Sequence, residues 1–492
     1  CRQCRELAGV VDIDCVLLTH AHIDHSGKLP ALTARGYTGP IYATLATKRL
    51  CDVMLLDAAH IQETEAQWKN RKAARAGEKQ YEPPYTVEDA QKALTQFIPC
   101  DYKKQYKIFD FCTVSFTDAG HLLGSSSIKI TLTENVVTKT LLFSGDLGNV
   151  DRPLIRDPQK PENADVVVIE STYGNRLHGA RGDYTAQLAN AINETLGKGG
   201  NLVIPAFAVG RTQEMLYLIR EIKEMGLAPA CPGFKVWVDS PLAVQATKIY
   251  SGGMTDYYDE TTLDYLAKGI NVLDFEGLNM SVTTEQSRML NTDAEPKVII
   301  SASGMCEAGR IRHHLKHNLW RSECAVMFVG YQAVGTLGRI LCDGAKKVKI
   351  FGEEIAVNSK ILTMDGISGH ADMDMLLGWL KCMAVKPERV YVNHGDDTVC
   401  DEFAATVNEK LGVHAEAPYN GAQYDIVTGE CLDKGNTVRL EKKTPAKVSA
   451  AFAKLLDAMR RLSELINRCS GRSNTDLNKF TDDINILKNK WE

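Results

Sequence analysis

Eleven short runs rich in β-branched and aliphatic residues recur along the chain: VLLTH, PIYAT, TVSFTDAG, KTLLFSGD, VVVIEST, NLVIPAF, KVWVDS, KVIISAS, AVMFVGY, KILTMDG and RVYVNHGD. Stretches of helical pattern alternate with them through most of the sequence. Several runs are nearly all apolar, as strands covered on both faces tend to be. Alternation of this kind leaves few architectures and predicts α/β layering.

With 492 residues, 44% hydrophobic and 24% charged, the chain can bury two or three cores, and disorder is not expected. No run of about 18 apolar residues occurs, and the opening CRQCRELAGVVDID lacks the basic-then-apolar layout of a secretory leader. Neither a membrane span nor export is expected. The 14 cysteines are scattered, mostly in apolar stretches, as buried reduced thiols are in a cytoplasmic protein. Cys1 and Cys4 have C-x-x-C spacing, but without a second pair they predict neither zinc nor redox chemistry.

A net charge of −5 argues against general coating of nucleic acid, so attraction to a polyanion must be local. Arg310, Arg312, Lys316, Arg321, Arg339, Lys346, Lys347 and Lys349, set against Glu323 and Asp343, form such a cluster, with a solvated face as the equal alternative. Residues 60–96 read as a polar helical excursion on the surface, interrupted at Pro83 and Pro84. From about Lys443 a helical tail follows: Val448, Phe452, Leu455, Leu456, Met459, Leu462, Leu465 and Ile466 at helical spacing, a break at SGRSN, then Leu477, Phe480, Ile484, Leu487 and Trp491. Such a hairpin fits packing on its own domain or on a second subunit in a homodimer.

The strongest chemical signal is THAHIDH, in which His20, His22, Asp24 and His25 follow directly on an apolar strand. Imidazole nitrogens and a carboxylate suit zinc, and a strand-to-loop junction can aim all four into one pocket. Two metals need more donors. His121 in TDAGHLLGSS, Asp146 in LLFSGDLGN and His394 in VYVNHGD each stand just past an apolar run and beside glycine. Taken singly, each reads better as a loop residue with a satisfied hydrogen bond; together with the first motif they complete a set.

In order, THAHIDH, DAGHLLGS, SGDLG and NHGD resemble the metal motifs of the metallo-β-lactamase superfamily. The long interval between Asp146 and His394, with VVVIESTYGNRLH, VIPAFAVGRTQE, VWVDSPLA, IISASGMCEAGRIRHHL, VGYQAVGTLGR and ISGHADMDML, resembles the β-CASP nucleases, and within them the prokaryotic relatives of the pre-mRNA 3′-end endonuclease. The resemblance implies two Zn2+ per chain, one held by His20, His22 and His121, the other by Asp24, His25 and His394, with Asp146 bridging. It also implies RNA as substrate, because RNA-directed members carry histidine at the position of His394. Asp24, Glu170 and His370 are the implied catalytic residues. A two-metal-activated hydroxide would attack phosphorus while His370, oriented and charged by Glu170, protonates the leaving oxygen. Without that resemblance, Glu170 reads as a loop carboxylate and His370 as a helix-start histidine. Ser303 and Gly304 are candidates to offer backbone N–H groups to phosphate, with Arg339 adding a charged fork.

The expected architecture is an αββα metallo-β-lactamase sandwich from residues 1–180 and 346–435, an inserted β-CASP α/β domain at 181–345, and a helical tail at 436–492. Family members carry further strands ahead of the first metal motif, whereas His20 stands 19 residues past Cys1, so those N-terminal strands are expected to be missing. The competing readings are hydrolysis of a small ester, thioester or lactam, and a non-catalytic RNA-binding scaffold. The inserted domain speaks against the first, and the complete donor set against the second.

Overall fold

The computed structural model describes residues 13–179, 182–364, 366–438 and 473–491, together with positions 458, 462, 465, 466 and 469. The Cys1/Cys4 pair and Val448 to Met459 of the tail stripe lie outside the described residues. The chain divides into a large unit ending at Thr437 and a second beginning at Val438. Within the second, Asn474–Trp491 is a helix with Leu477, Phe480 and Ile484 along it.

Two sheets make the first half of the large unit. One contains β1 (Val16–Leu17), β2 (Ile41–Thr44) and β3 (Phe97–Cys100), all parallel. The other holds seven strands: β4 (Gln105–Phe109), β5 (Cys112–Asp118), β6 (Ser126–Glu134), β7 (Val137–Phe143) and β8 (Val166–Glu170), joined late in the chain by two more. The sheets share a core around the fully buried Phe116, with Val114 and Ile128 from one side and Leu17, Tyr42 and Cys100 from the other. The helix Leu45–Ala76 covers the smaller sheet with Leu50, Cys51 and Leu55. Leu376, Phe403 and Val407 from the helices Met373–Lys381 and Asp397–Leu411 cover the larger one. Helices outside two facing sheets are the αββα layering.

The long helix starts where the Thr44 hydroxyl accepts the Thr47 amide and stops at Gly77, whose φ of 67° an L side chain resists. Its first half is core, so the expected polar excursion at 60–96 begins only beyond Ala59. After the Pro83–Pro84 break, a capping box at Thr86 and Asp89 opens the helix Val87–Thr95.

The inserted domain is a six-stranded parallel sheet built from β9 (Leu202–Pro205), β10 (Lys235–Val238), β11 (Leu278–Met280), β12 (Lys297–Ser301), β13 (Ala325–Phe328) and a late edge strand, in the order β11-β10-β12-β9-β13-edge. Met215 and Ile219 cover one face, and Ile311 and Leu315 the other. After the hairpin β14 (Lys347–Ile350) and β15 (Glu353–Ala356), the edge strand β16 (Lys360–Thr363) pairs with β13. The return to the first domain therefore comes after Thr363, later than the expected residue 346. The run KILTMDG announces a strand, but nothing in its periodicity says which sheet it joins. β17 (Arg389–Asn393) and β18 (His414–Glu416) then complete the seven-stranded sheet.

Candidate metal centre and catalytic cleft

In the seven-stranded sheet β5, β7, β8 and β17 all point one way: β7, β8 and β17 pair in parallel, and β5 is two antiparallel steps from β7. Their carboxyl ends release His121, Asp146, Glu170 and His394 at one edge, where HAHIDH arrives from β1 in the facing sheet. His394 takes a left-handed φ of 49°, which turns its ring into the pocket. Gly395 is required next to it, because a Cβ there would collide with the Ser171 hydroxyl.

The seven expected donors converge as two groups that share Asp146. His20 Nε2 and His121 Nε2 each stand 3.1 Å from His22 Nδ1, and Asp146 Oδ2 is 3.4 Å from His20 Nε2 and 3.6 Å from His121 Nε2. On the other side, His25 Nε2 is 3.2 Å from His394 Nε2 and 3.3 Å from Asp146 Oδ1. Asp24 Oδ2 lies 3.5 Å from His394 Nε2 and 3.7 Å from His25 Nε2. Four donors around one zinc at bond lengths near 2.0–2.1 Å stand about 3.3–3.4 Å apart, so the spacing fits tetrahedral coordination. The Nδ1 of His121 faces the Gly369 carbonyl at 3.0 Å; donating its proton there leaves a lone pair on Nε2. Lone pairs converging in a dry pocket need a cation. Asp146 Oδ1 is buried without a hydrogen-bond partner, a second sign that the set is built for metal.

The electrostatics of the buried His20, His22 and His121 group agree. Burial holds His20 and His121 well below the ordinary imidazole range and His22 at about 4, so all three are neutral and ready to coordinate. Burial pushes the Asp146 carboxyl up, but the neighbouring imidazoles of His20, His25 and His121 outweigh it and keep the group well below its usual value. At the open side, hydrogen bonding between them lowers Asp24 and raises His394 to about 9.

Glu170, 1% exposed, supports two parts of the site. It accepts the Leu147 amide at 2.6 Å, fixing the residue beside Asp146, and the Thr172 amide at 3.2 Å. It also faces His370 Nδ1 at 3.1 and 3.2 Å. Burial works against a charged His370, yet Glu170 and then Asp146 overcome it and raise its pKa. The His178 ring holds the His370 carbonyl at 2.8 Å.

Three residues with no role assigned from sequence tie the domains together. Arg152 donates to Glu214 and to the carbonyls of His121 (2.7 Å) and Gly369 (3.2 Å). Arg211 donates to the other Glu214 oxygen at 2.5 Å and to the Ile367 carbonyl at 2.7 Å. Glu214 and Arg211 lie on the helix Arg211–Glu224 of the inserted domain. Both stand in the VIPAFAVGRTQE string, but only the fold reveals their partners.

The three expected phosphate contacts all come from the inserted domain, and Arg339 lines a cavity together with Tyr173, His178 and Ser368. Ser303 and Gly304 follow β12, and the Gly304 carbonyl accepts from Gln332 at 3.1 Å. Arg339 is paired with Asp343 on its own helix at 2.8 Å. Lys316, Arg321 and Lys347 also have acidic partners, which favours the solvated-face reading for that part of the basic cluster, whereas Arg310 pairs with the buried Asp239.

Fold and donors together define a metal-dependent hydrolase of the metallo-β-lactamase superfamily. Three families match the chain by sequence: a metallo-β-lactamase superfamily domain over residues 3–141, a β-CASP domain over 212–341, and a Zn-dependent metallo-hydrolase RNA specificity domain over 354–418. The chain is 36% identical over 386 residues to ribonuclease TTHA0252 of Thermus thermophilus, covering 78% of this chain and 82% of that protein. It is 32% identical to the transcription termination factor FttA of Methanosarcina mazei and 30% to that of Methanocaldococcus jannaschii, spanning 62% and 63% of their lengths and 83% and 84% of its own. The chain belongs to the β-CASP family of metallo-β-lactamase-fold nucleases. No helix among the described residues is long and apolar enough to cross a membrane.

Proposed function

We propose that the chain is a cytoplasmic ribonuclease that hydrolyses RNA phosphodiester bonds with two zinc ions. His20, His22 and His121 would hold one ion and Asp24, His25 and His394 the other, with an oxygen of Asp146 turned to each. When bound, the ions supply Lewis acidity, which lowers the pKa of water and neutralises phosphate charge. The protein does the rest. Glu170 keeps His370 protonated, and His370, beside the His121 ring at a centroid distance of 4.5 Å, delivers its proton to the departing ribose oxygen. Asp24, exposed at the open side, orients water entering from the cleft. The apolar stripe of the helix Asn474–Trp491 suits a homodimer, which light scattering measures directly.

One observation carries the reading: donors from four distant stretches meet at 3.1–3.7 Å in a chain that also carries an inserted parallel-sheet domain. The test is zinc-loaded protein with RNA labelled at either end, as 5′-triphosphate and 5′-monophosphate. Cleavage that disappears in Asp146→Ala and His394→Ala is expected. Intact RNA in the presence of two bound zinc ions, or turnover of small esters alone, would overturn the reading.

A further inference from the structure

Beside His370 the cleft between the domains holds a cavity of about 350 Å³, walled by the loops that follow β8 and β13. The Arg176 guanidinium carbon lies 4.0 Å from the centroid of the Tyr173 ring, on the metallo-β-lactamase side. The same carbon lies 5.1 Å from the Tyr331 ring, on the β-CASP side. A planar cation is thus shared by aromatic rings from the two domains. Tyr331 is 48% exposed, and neither tyrosine belongs to a hydrophobic core, so fold stability does not account for their placement. Among the described residues no carboxylate makes an ion pair with Arg176, although most cationic residues in the inserted domain have one. The Tyr173 ring also stands 6.1 Å from the His370 ring, which sets this cavity beside the group assigned to the leaving oxygen.

We propose that this cavity is a nucleobase slot: one base flanking the scissile phosphate takes the place of Arg176 against Tyr173 and Tyr331, and the displaced Arg176 pairs with a phosphate. The inference rests on the ribonuclease reading above. A guanidinium and a nucleobase are both flat groups that bind a tyrosine face, and every base offers such a face, so the slot holds RNA in register without demanding a sequence. Single-stranded RNA is commonly held by unstacked bases laid on aromatic side chains, with arginine taking the phosphate. Because the rings come from separate domains, an inserted base bridges them next to the catalytic histidine.

The test uses a full-length, zinc-loaded chain and an RNA with one cleavage site, in which an abasic ribonucleotide replaces each position around that site in turn. In the parent protein one abasic position should lower kcat/KM by about 5- to 160-fold, the range of one base–aromatic stack. Tyr331→Ala should lose a similar factor on intact RNA and become indifferent to that abasic position, with zinc content and melting temperature unchanged. Tyr331→Phe and Tyr331→Trp should restore activity, since only the ring is needed. For Arg176→Gln, the slope of log kcat/KM against log salt should flatten by about 0.7, the value for one phosphate contact on a single strand. Equal abasic penalties in parent and Tyr331→Ala, or Tyr331→Phe as impaired as alanine, would overturn the slot while leaving the ribonuclease intact. A parent protein that cuts no RNA sinks the ribonuclease reading and the slot with it.

Discussion

Replacing Glu170 by Gln removes one charge from the site and should move the pH at which the enzyme works. At 3.1 Å from His370 Nδ1, the carboxylate attracts an imidazolium by about 5 kcal/mol at an effective dielectric of about 20. Burial opposes the charged ring, and the carboxylate outweighs it, so the His370 pKa stands above the ordinary range. With glutamine the burial penalty and the repulsion of His394 are opposed only by the weaker pull of Asp146, and the pKa falls. A general acid must be protonated, so the alkaline limb of kcat moves to lower pH, and on that limb the rate drops tenfold with every further pH step of one. At about pH 8 the loss should approach the 10²- to 10⁴-fold worth of a general acid, with much of it recovered near pH 6. The assay is single-turnover RNA cleavage across pH, with zinc content checked at each point. Stability follows the same sign: a raised folded-state pKa contributes stability below the unfolded imidazole value of about 6.5 and loses it as pH rises through the folded value. Glu170→Gln should therefore destabilise more in mild acid than in mild alkali. A kcat profile parallel to that of the parent protein, with the limb unmoved, would refute the assignment.

Asp146→Asn keeps the shape of the side chain but removes the charge shared by both donor groups; bound zinc, measured by atomic emission, should fall from about two ions to one or fewer, with RNA cleavage lost. Stripping metal with a chelator should abolish cleavage and lower the melting temperature, and zinc at about 1,000 times its dissociation constant should return about 4 kcal/mol of stability. Arg152→Met breaks the link to the His121 and Gly369 carbonyls while leaving Glu214 paired with Arg211; a 10- to 100-fold loss in kcat or zinc affinity with KM unchanged is expected, because outer partners of a ligand act on the metal rather than on substrate binding.

The proposed metal donors were legible because their chemistry is local: each is a histidine or aspartate just past an apolar strand, and strands that run parallel bring such ends to one edge. All eleven runs became strands, and those of β9, β12 and β13 are buried throughout. β6 escaped notice because Ile128, Ile130 and Leu132 alternate with Lys129, Thr131 and Thr133, so no apolar run marks it. Glu170 and His370 looked like loop and helix-start residues, since 200 positions separate groups that meet at 3.1 Å. Arg152, Arg211 and Glu214 were silent for a deeper reason. An arginine or glutamate in a helical or loop pattern reads as surface, and only the packing of the two domains buries them.

That burial makes domain placement part of the chemistry. The Gly369 carbonyl receives both His121 Nδ1 and Arg152, and Gly369 directly precedes His370. Arg152 reaches Glu214 on the inserted domain, so one chain of contacts runs from that domain to the ring of His121 and to the loop of His370. With Glu214 only 3% exposed, parting the domains would strip charged groups of their partners without offering them full hydration, which makes an intermediate opening costly. The cleft therefore favours discrete arrangements over a continuum, and if the proposed RNA site lies in it, the arrangement that fixes His121 and His370 is the one in which RNA should bind. Arg152→Met probes that coupling from the metal side and Tyr331→Ala from the RNA side. If the two act through separate elements, their effects on kcat/KM should multiply; if both act through the domain arrangement, the double variant should lose less than the product.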